Sequence, residues 1–217
     1  MVKAWALSME SPFGGPWHEF NAGASNAELD AAEEAIGRRL PEPLRALYRF
    51  SNGMGVLGGD LNFVPLAGPG DTGNLVTLSD ELRSSQWPIP DEMIVFGGNG
   101  ADEIFGIWLP TDEEWAGPAL VVGVGEIFEP DCLAVYGTSL SRFLRAWTAA
   151  RLLEWDDHAA ALDALGLPTD RRRDPSCEEE AYAECFGWAD PDLPYDDPDP
   201  YSQRLTPKAI REMFGAS

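Results

Sequence analysis

A chain of 217 residues is long enough for one large domain, or one domain with an extension, and folding should bury roughly 70% of its surface. Its 15 basic and 37 acidic residues leave a formal charge of −22, which repels nucleic-acid phosphates and anionic lipid and attracts basic partners. Three cysteines (Cys132, Cys177, Cys185) without CxxC spacing, no apolar run of about 18 residues and no signal-peptide core predict a protein of the reducing cytoplasm.

Residues 1–24 contain Gly and Trp and are weakly periodic, which predicts an edge strand plus loop. "SNAE" at 25–28 has the form of a capping box, with Ser25 capping the first amides and Glu28 reaching back. Leu29, Ala32 and Ile36 follow as one apolar stripe, and Gly37 stops the helix. Next comes "RRLPEPLRALYRFSNGMG", residues 38–55. Pro41 suits a first helical turn, and Leu40, Leu44, Leu47 and Tyr48 share a face. Asn52-Gly53 ends the run, because both residues tolerate the left-handed conformation. The two helices make a helix-turn-helix unit. Its exposed face carries acids in a strongly acidic chain, which argues against DNA binding.

From residue 56 the period changes. "LNFVPL", "NLVTL", "MIVFGG", "EIFGIWLP", "ALVVGVG" and "CLAVYG" are short, rich in β-branched and aromatic residues, and divided by Gly, Pro, Asn and Asp. They read as strands with too little between them for crossover helices, except around "LSDELRSSQW" at 78–87. "TSLSRFLRAWTAARLL", 138–153, returns to helical period with Ser139 as N-cap and Leu140, Phe143, Leu144, Trp147 and Leu152 facing inward. The fold class is α+β: a central, mostly antiparallel sheet, with an N-terminal helix pair and a closing helix packed on it. The inner stripes place Leu29, Ile36, Leu40, Leu44, Leu47, Tyr48, Phe96, Phe105, Ile107, Val121, Phe143, Leu144 and Trp147 in its core.

Residues 154–217 form an acidic, Pro-rich C-terminal extension. Between Asp174 and Asp199 there are ten acids and no Lys or Arg. A solvated tail is the plain reading of such a stretch. Tyr182, Phe186, Trp188 and Tyr195 supply more aromatic surface than a free tail carries, and predict a segment that packs on the domain and exposes its acids. "TPKAIREMF" at 206–214 predicts a last short helix with Pro207 in its first turn.

Catalytic motifs are scarce. "DTG" at 71–73 matches an aspartic-protease tripeptide, but it sits in a turn-forming run and has no second copy. "GGNGADEIFG" at 97–106 lacks the Lys, the Ser/Thr and the following helix of a phosphate cradle, and reads as a hairpin turning at Asn99-Gly100. His18 and His158 have no partner at ligand spacing, and "DPDLPYDDPDP" resembles a calcium loop in charge alone. There is no GxSxG, and carboxylates are too numerous to single out a glycosidase pair. The sequence predicts no enzyme, no metal and no cofactor.

The capped helix ending at Ile36-Gly37, then Leu40-Pro41, then a helix closing with Phe50-Ser51-Asn52-Gly53, resembles the start of SUKH superfamily domains. "IVFGGNGADEIFGIWL" is similar to that family's middle hairpin, and "SLSRFLRAW" to its closing helix. The resemblance spans about 25–150, within a SUKH-like domain of 25–153; the segment 1–24 and the extension lie outside it. It implies an α+β fold without shared catalytic residues. Bacterial members of the superfamily are mostly immunity proteins encoded beside polymorphic toxins, many of them nucleic-acid-modifying enzymes, while fungal relatives regulate the cell wall. All but two of the basic residues (Lys3 and Lys208) are arginine, which with abundant Ala and Gly points to a bacterial source.

Resemblance and charge together predict an immunity protein that binds and occludes a cognate toxin with a basic surface, and that contacts neither nucleic acid nor membrane. A regulatory interaction module of the same fold and an enzyme with an unrecognised site are the alternatives. The candidate contact residues are Asp102 and Glu103 at the hairpin, then Asp112, Glu113, Glu114 and Trp115 in the next loop. Glu178, Glu179, Glu180, Asp196, Asp197 and Asp199 in the extension complete the set.

Overall fold

Helix formation starts where the capping box places it. In a computed structural model of the protein, α1 (Asn26–Ile36) is preceded by Ser25, whose hydroxyl accepts from the Glu28 amide while the Glu28 carboxylate accepts from the Ser25 amide and hydroxyl. Those bonds hold the Glu28 carboxyl below its usual range. Gly37 closes the helix in the left-handed conformation at φ 73°. The structure describes residues 18–68, 73–84, 89–100, 103–110, 115, 117–125, 132–153, 190–193 and 204–215, with backbone alone at 152 and 153.

The second helix, α2 (Glu42–Phe50), begins one residue later than the sequence suggests. Pro41 is its N-cap, with ψ 143°, and Pro43 occupies the first turn. The extended backbone at Pro41 is that of an N-cap residue, and Glu42, which directly precedes Pro43, is already helical. The far end also differs. Ser51 leaves the helix in an extended conformation (φ −152°), and the left-handed residue is Gly53 (φ 86°), which turns the chain into the next strand.

The chain divides into two compact units, residues 1–115 with 123–132, and residues 116–122 with 133–217. In the first, β1 (Glu19–Phe20), β2 (Met54–Val56), β3 (Leu61–Phe63), β4 (Met93–Gly98) and β5 (Glu103–Trp108) form an antiparallel meander in sequence order. Strand β1 is the expected edge strand. Strand β2 precedes the point where the sequence turns strand-like, because Met54-Gly55-Val56 is too short and glycine-rich to register.

One strand prediction is wrong. "NLVTL" is the start of α3 (Leu75–Ser84), which packs on β4. Five apolar or β-branched residues cannot by period alone separate strand from helix. Asn74 decides, since its side-chain oxygen accepts from the Thr77 amide at 3.1 Å and its carbonyl from the Leu78 amide at 2.8 Å.

β6 (Val121–Gly125) contributes residues to both units. In the second unit, β7 (Leu133–Gly137) pairs antiparallel with β8 (Arg204–Leu205), and α4 (Leu140–Leu153) packs on β7. Tyr136, Phe143 and Trp147 meet there with ring centroids 5.7–6.3 Å apart. Ser139 caps α4 through the Arg142 amide, as expected. α5 (Pro207–Phe214) is capped by Thr206, with Pro207 in its first turn. The architecture is α+β.

Leu29, Leu40, Leu44, Tyr48, Phe96, Phe105 and Ile107 in the first unit are buried, as are Val121, Phe143 and Trp147 in the second. Ile36, Leu47 and Leu144 are half-buried, because each lies at the margin of its stripe. The Leu152 side chain lies outside the described residues. Leu44→Ala should therefore cost about 2–5 kcal/mol in a urea melt, the range for a fully buried leucine, and Leu144→Ala should cost less. Gly53→Val should destabilise by about 1–2 kcal/mol or more, since its φ is positive. A neutral result for Leu44→Ala or Gly53→Val would contradict this packing.

Candidate functional surface

Two cross-strand rows of the meander have opposite fates. Phe20, Met54, Phe63, Gly97 and Phe105 are in register across β1–β5, and Met54, Phe63 and Phe105 are buried. The adjacent row is Glu19, Gly55, Asn62, Gly98 and Ile104. Directly paired residues share a face and neighbouring rows point to opposite faces, so this second row is a different surface. Glu19 is exposed and the other four are half-buried. Two glycines in that row leave the sheet bare.

A cavity of about 570 Å³ opens along this row. Its floor is glycine-rich, with Gly53, Gly55, Gly97, Gly98 and Gly100. Ile104, Val64, Leu78 and Leu82 supply apolar wall, and Glu19, Asn21, Asn62 and Glu103 supply the polar groups. No Lys or Arg is among its described lining residues.

Local bonds make the rim rigid. The Ser51 hydroxyl donates to the Gly53 carbonyl at 2.7 Å, and the Asn52 side-chain oxygen accepts from the Leu66 amide at 2.8 Å. Asn21 donates to the Asn52 carbonyl at 2.9 Å. The Ser-Asn-Gly triplet thus does more than stop a helix: it ties the end of α2 to the segments after β1 and β3. On the opposite side Asn99 clips the hairpin. Its side chain accepts from the Glu103 amide and donates to the Glu103 carboxylate, both at 3.1 Å, while its own amide donates to the Glu103 carbonyl.

The candidate contact residues are placed unevenly. Glu103 is the first residue of β5 and only 7% exposed, held by Asn99, and is among the residues that line the cavity. Trp115 is half-buried. Asp102, Asp112, Glu113, Glu114, Glu178, Glu179, Glu180, Asp196, Asp197 and Asp199 lie outside the described residues, as do Tyr182, Phe186, Trp188 and Tyr195. Residues 190–193 and 204–215 of the extension are described. Asp190 is buried and accepts from the backbone and hydroxyl of Thr138 at the start of α4, and Leu193 is buried beyond it.

Sequence reading missed Glu19, Asn21 and Asn62. The available signal was alternation: Asn62 stands between buried Leu61 and Phe63, which puts it on the other face of the strand.

Several of the described arginines pair with acids. Arg45, with its side chain 8% exposed, pairs with Asp30 at 3.0 Å and Glu33 at 2.5 Å, and the hydrogen bonds it donates to Glu33 and then Asp30 raise its pKa. Glu33 also accepts from the Leu40 amide at 2.7 Å, which fixes the linker between α1 and α2. Arg49 pairs with Glu42 at 2.6 Å and keeps that carboxyl low. Arg83 pairs with Asp80 at 2.8 Å and donates to the carbonyls of Pro90 and Met93. Arg142 lies against Asp192 and Asp190, whose hydrogen bonds and charges raise its pKa.

No group of three or more His, Cys, Asp or Glu is arranged to hold a metal among the described residues, and no described helix is long and apolar enough to cross a membrane. The SMI1/KNR4 family (SUKH-1) model matches residues 23–146, more than half of the chain. The chain belongs to the SMI1/KNR4 (SUKH-1) family. No curated protein matches it significantly. Within the SUKH-1 match fall α1–α3, all strands from β2 to β7 and the cavity lining except Glu19 and Asn21. The Asp190 anchor and α5 lie beyond it. Membership supports an immunity or regulatory role, in a family that is generally non-enzymatic.

His18 borders β1, stacks on Phe20 at 6.1 Å and accepts a long 3.4 Å bond from the Leu57 amide at Nδ1. Burial lowers its pKa below the usual 6.5. As pH falls, the unfolded chain therefore takes up this proton before the folded chain does, and the stability His18 confers declines through the region below 6.5. An NMR titration of the His18 ring should give a midpoint below 6.5; one at or above it would contradict the burial of this edge.

Proposed function

We propose that the SUKH-1 chain is a cytoplasmic immunity protein that neutralises a cognate bacterial toxin by binding and covering its basic surface. The observation that carries this reading is the charge: −22 overall, with Arg45, Arg83 and Arg142 each already set against two or more acids. Cations paired internally cannot offset the field of the remaining carboxylates. The net potential outside the protein is negative, which steers a basic partner inward and repels nucleic acid.

A toxin that grips RNA or DNA must present a basic cleft, and an acidic protein seated there excludes the phosphate backbone. Asp102, Asp112, Glu113 and Glu114, with Glu178–Glu180 and Asp196, Asp197 and Asp199, are the proposed steering charges, and Trp115 the proposed apolar anchor. Glu103 differs from them, being buried and bonded to Asn99.

Co-expression with the toxin encoded beside its gene tests the proposal. Growth should be restored, and the two proteins should co-purify at low salt. Growth arrest without relief, together with no complex at low salt, would refute it.

A further inference from the structure

We propose that the glycine-floored cavity on the β1–β5 sheet receives an arginine side chain projected from the toxin. This rests on the immunity reading and names the contact at its centre. Three properties of the cavity point to a guanidinium. First, its polar lining residues are two carboxylates, Glu19 and Glu103, and two carboxamides, Asn21 and Asn62. A planar guanidinium, with five donors in a fixed fork, can bond more of these groups at once than an ammonium with three. Second, the described lining brings two formal negative charges and no Lys or Arg, so a cation entering it is attracted. Third, Ile104, Val64, Leu78 and Leu82 give apolar wall along which a three-carbon stem can lie.

Size and stiffness agree. About 570 Å³ exceeds what one side chain fills and leaves room for the backbone that carries it; it falls within the roughly 300–1,000 Å³ range of preformed ligand clefts. The rim is preorganised by the Ser51, Asn52 and Asn99 bonds, so little ordering cost remains on binding. Gly55 carries no side chain, so a flat group can approach the sheet backbone there.

The test uses the full chain, labelled with ¹⁵N, and N-acetyl-Gly-Arg-Gly-amide as probe. Saturable shifts are expected at the amides of Gly53, Gly55 and Gly98 and the side-chain amide of Asn62. The matching citrulline peptide, of nearly equal shape and no charge, should bind about tenfold more weakly or worse, as loss of a charge-assisted hydrogen bond implies. Glu19→Gln, at an exposed position, should weaken the arginine peptide without altering the rest of the spectrum. Gly55→Val should abolish binding by filling the floor; an added Cβ there meets only the Asn62 side chain, at 3.1 Å, and the variant's own spectrum reports its folding.

Equal binding of the two peptides, or shifts scattered over the acidic surface, would overturn the assignment. The growth assay separates this inference from its foundation. Wild type that rescues and Gly55→Val that does not supports the cavity. Rescue by both leaves the immunity reading standing and removes the cavity from it. A wild type that fails to rescue removes both.

Discussion

The close approach of β4 to its neighbours β3 and β5 is the constraint on which the first unit depends. A Cβ on Gly97 would lie 1.8 Å from the Asn62 carbonyl oxygen, and one on Gly98 would lie 2.4 Å from that of Glu103. No side chain fits either place. The β4–β5 register shifts between Val95 and Gly97, a bulge that bends the strand. Phe96, the residue at this bulge, stacks on Phe63 at 4.9 Å and is fully buried. Both glycines, Gly97 and Gly98, also line the cavity. Core packing and the candidate surface thus meet at the same two glycines of β4.

The second organising feature is how the charges are distributed. Glu33 joins the Leu40 amide and the Arg45 guanidinium, so one carboxylate sets both the linker and the pairing of α1 with α2. Asp190 plays a related part in the second unit, where its carboxylate meets the first residues of α4 and Arg142. These acids have structural partners. The excess acids that remain give the protein its long-range field, and that field is what a basic toxin would meet first. Exposed charges act over about a Debye length, roughly 8–10 Å at physiological salt, whereas a buried anchor acts only after contact.

Local chemistry was readable in the sequence. Ser25 with Glu28, Gly37, Ser139, and Thr206 with Pro207 all act where their types place them, because each needs only neighbours within one helical turn. "NLVTL" was misread for the converse reason: its helix is decided by Asn74, while its β-branched composition suggests a strand. Arg45 reads as a surface cation and is buried, since only the meeting of α1 and α2 surrounds it with acids. The cavity was illegible because it is a property of register. Gly55, Asn62 and Gly98 are separated in the chain and become neighbours only when three strands pair.

The central claim, that acids draw this SUKH-1 protein onto a basic toxin, is tested most directly by stopped-flow association with that toxin across ionic strength. The account predicts an association rate that falls steeply between about 50 and 300 mM salt while the dissociation rate changes little. An association rate independent of salt would contradict it.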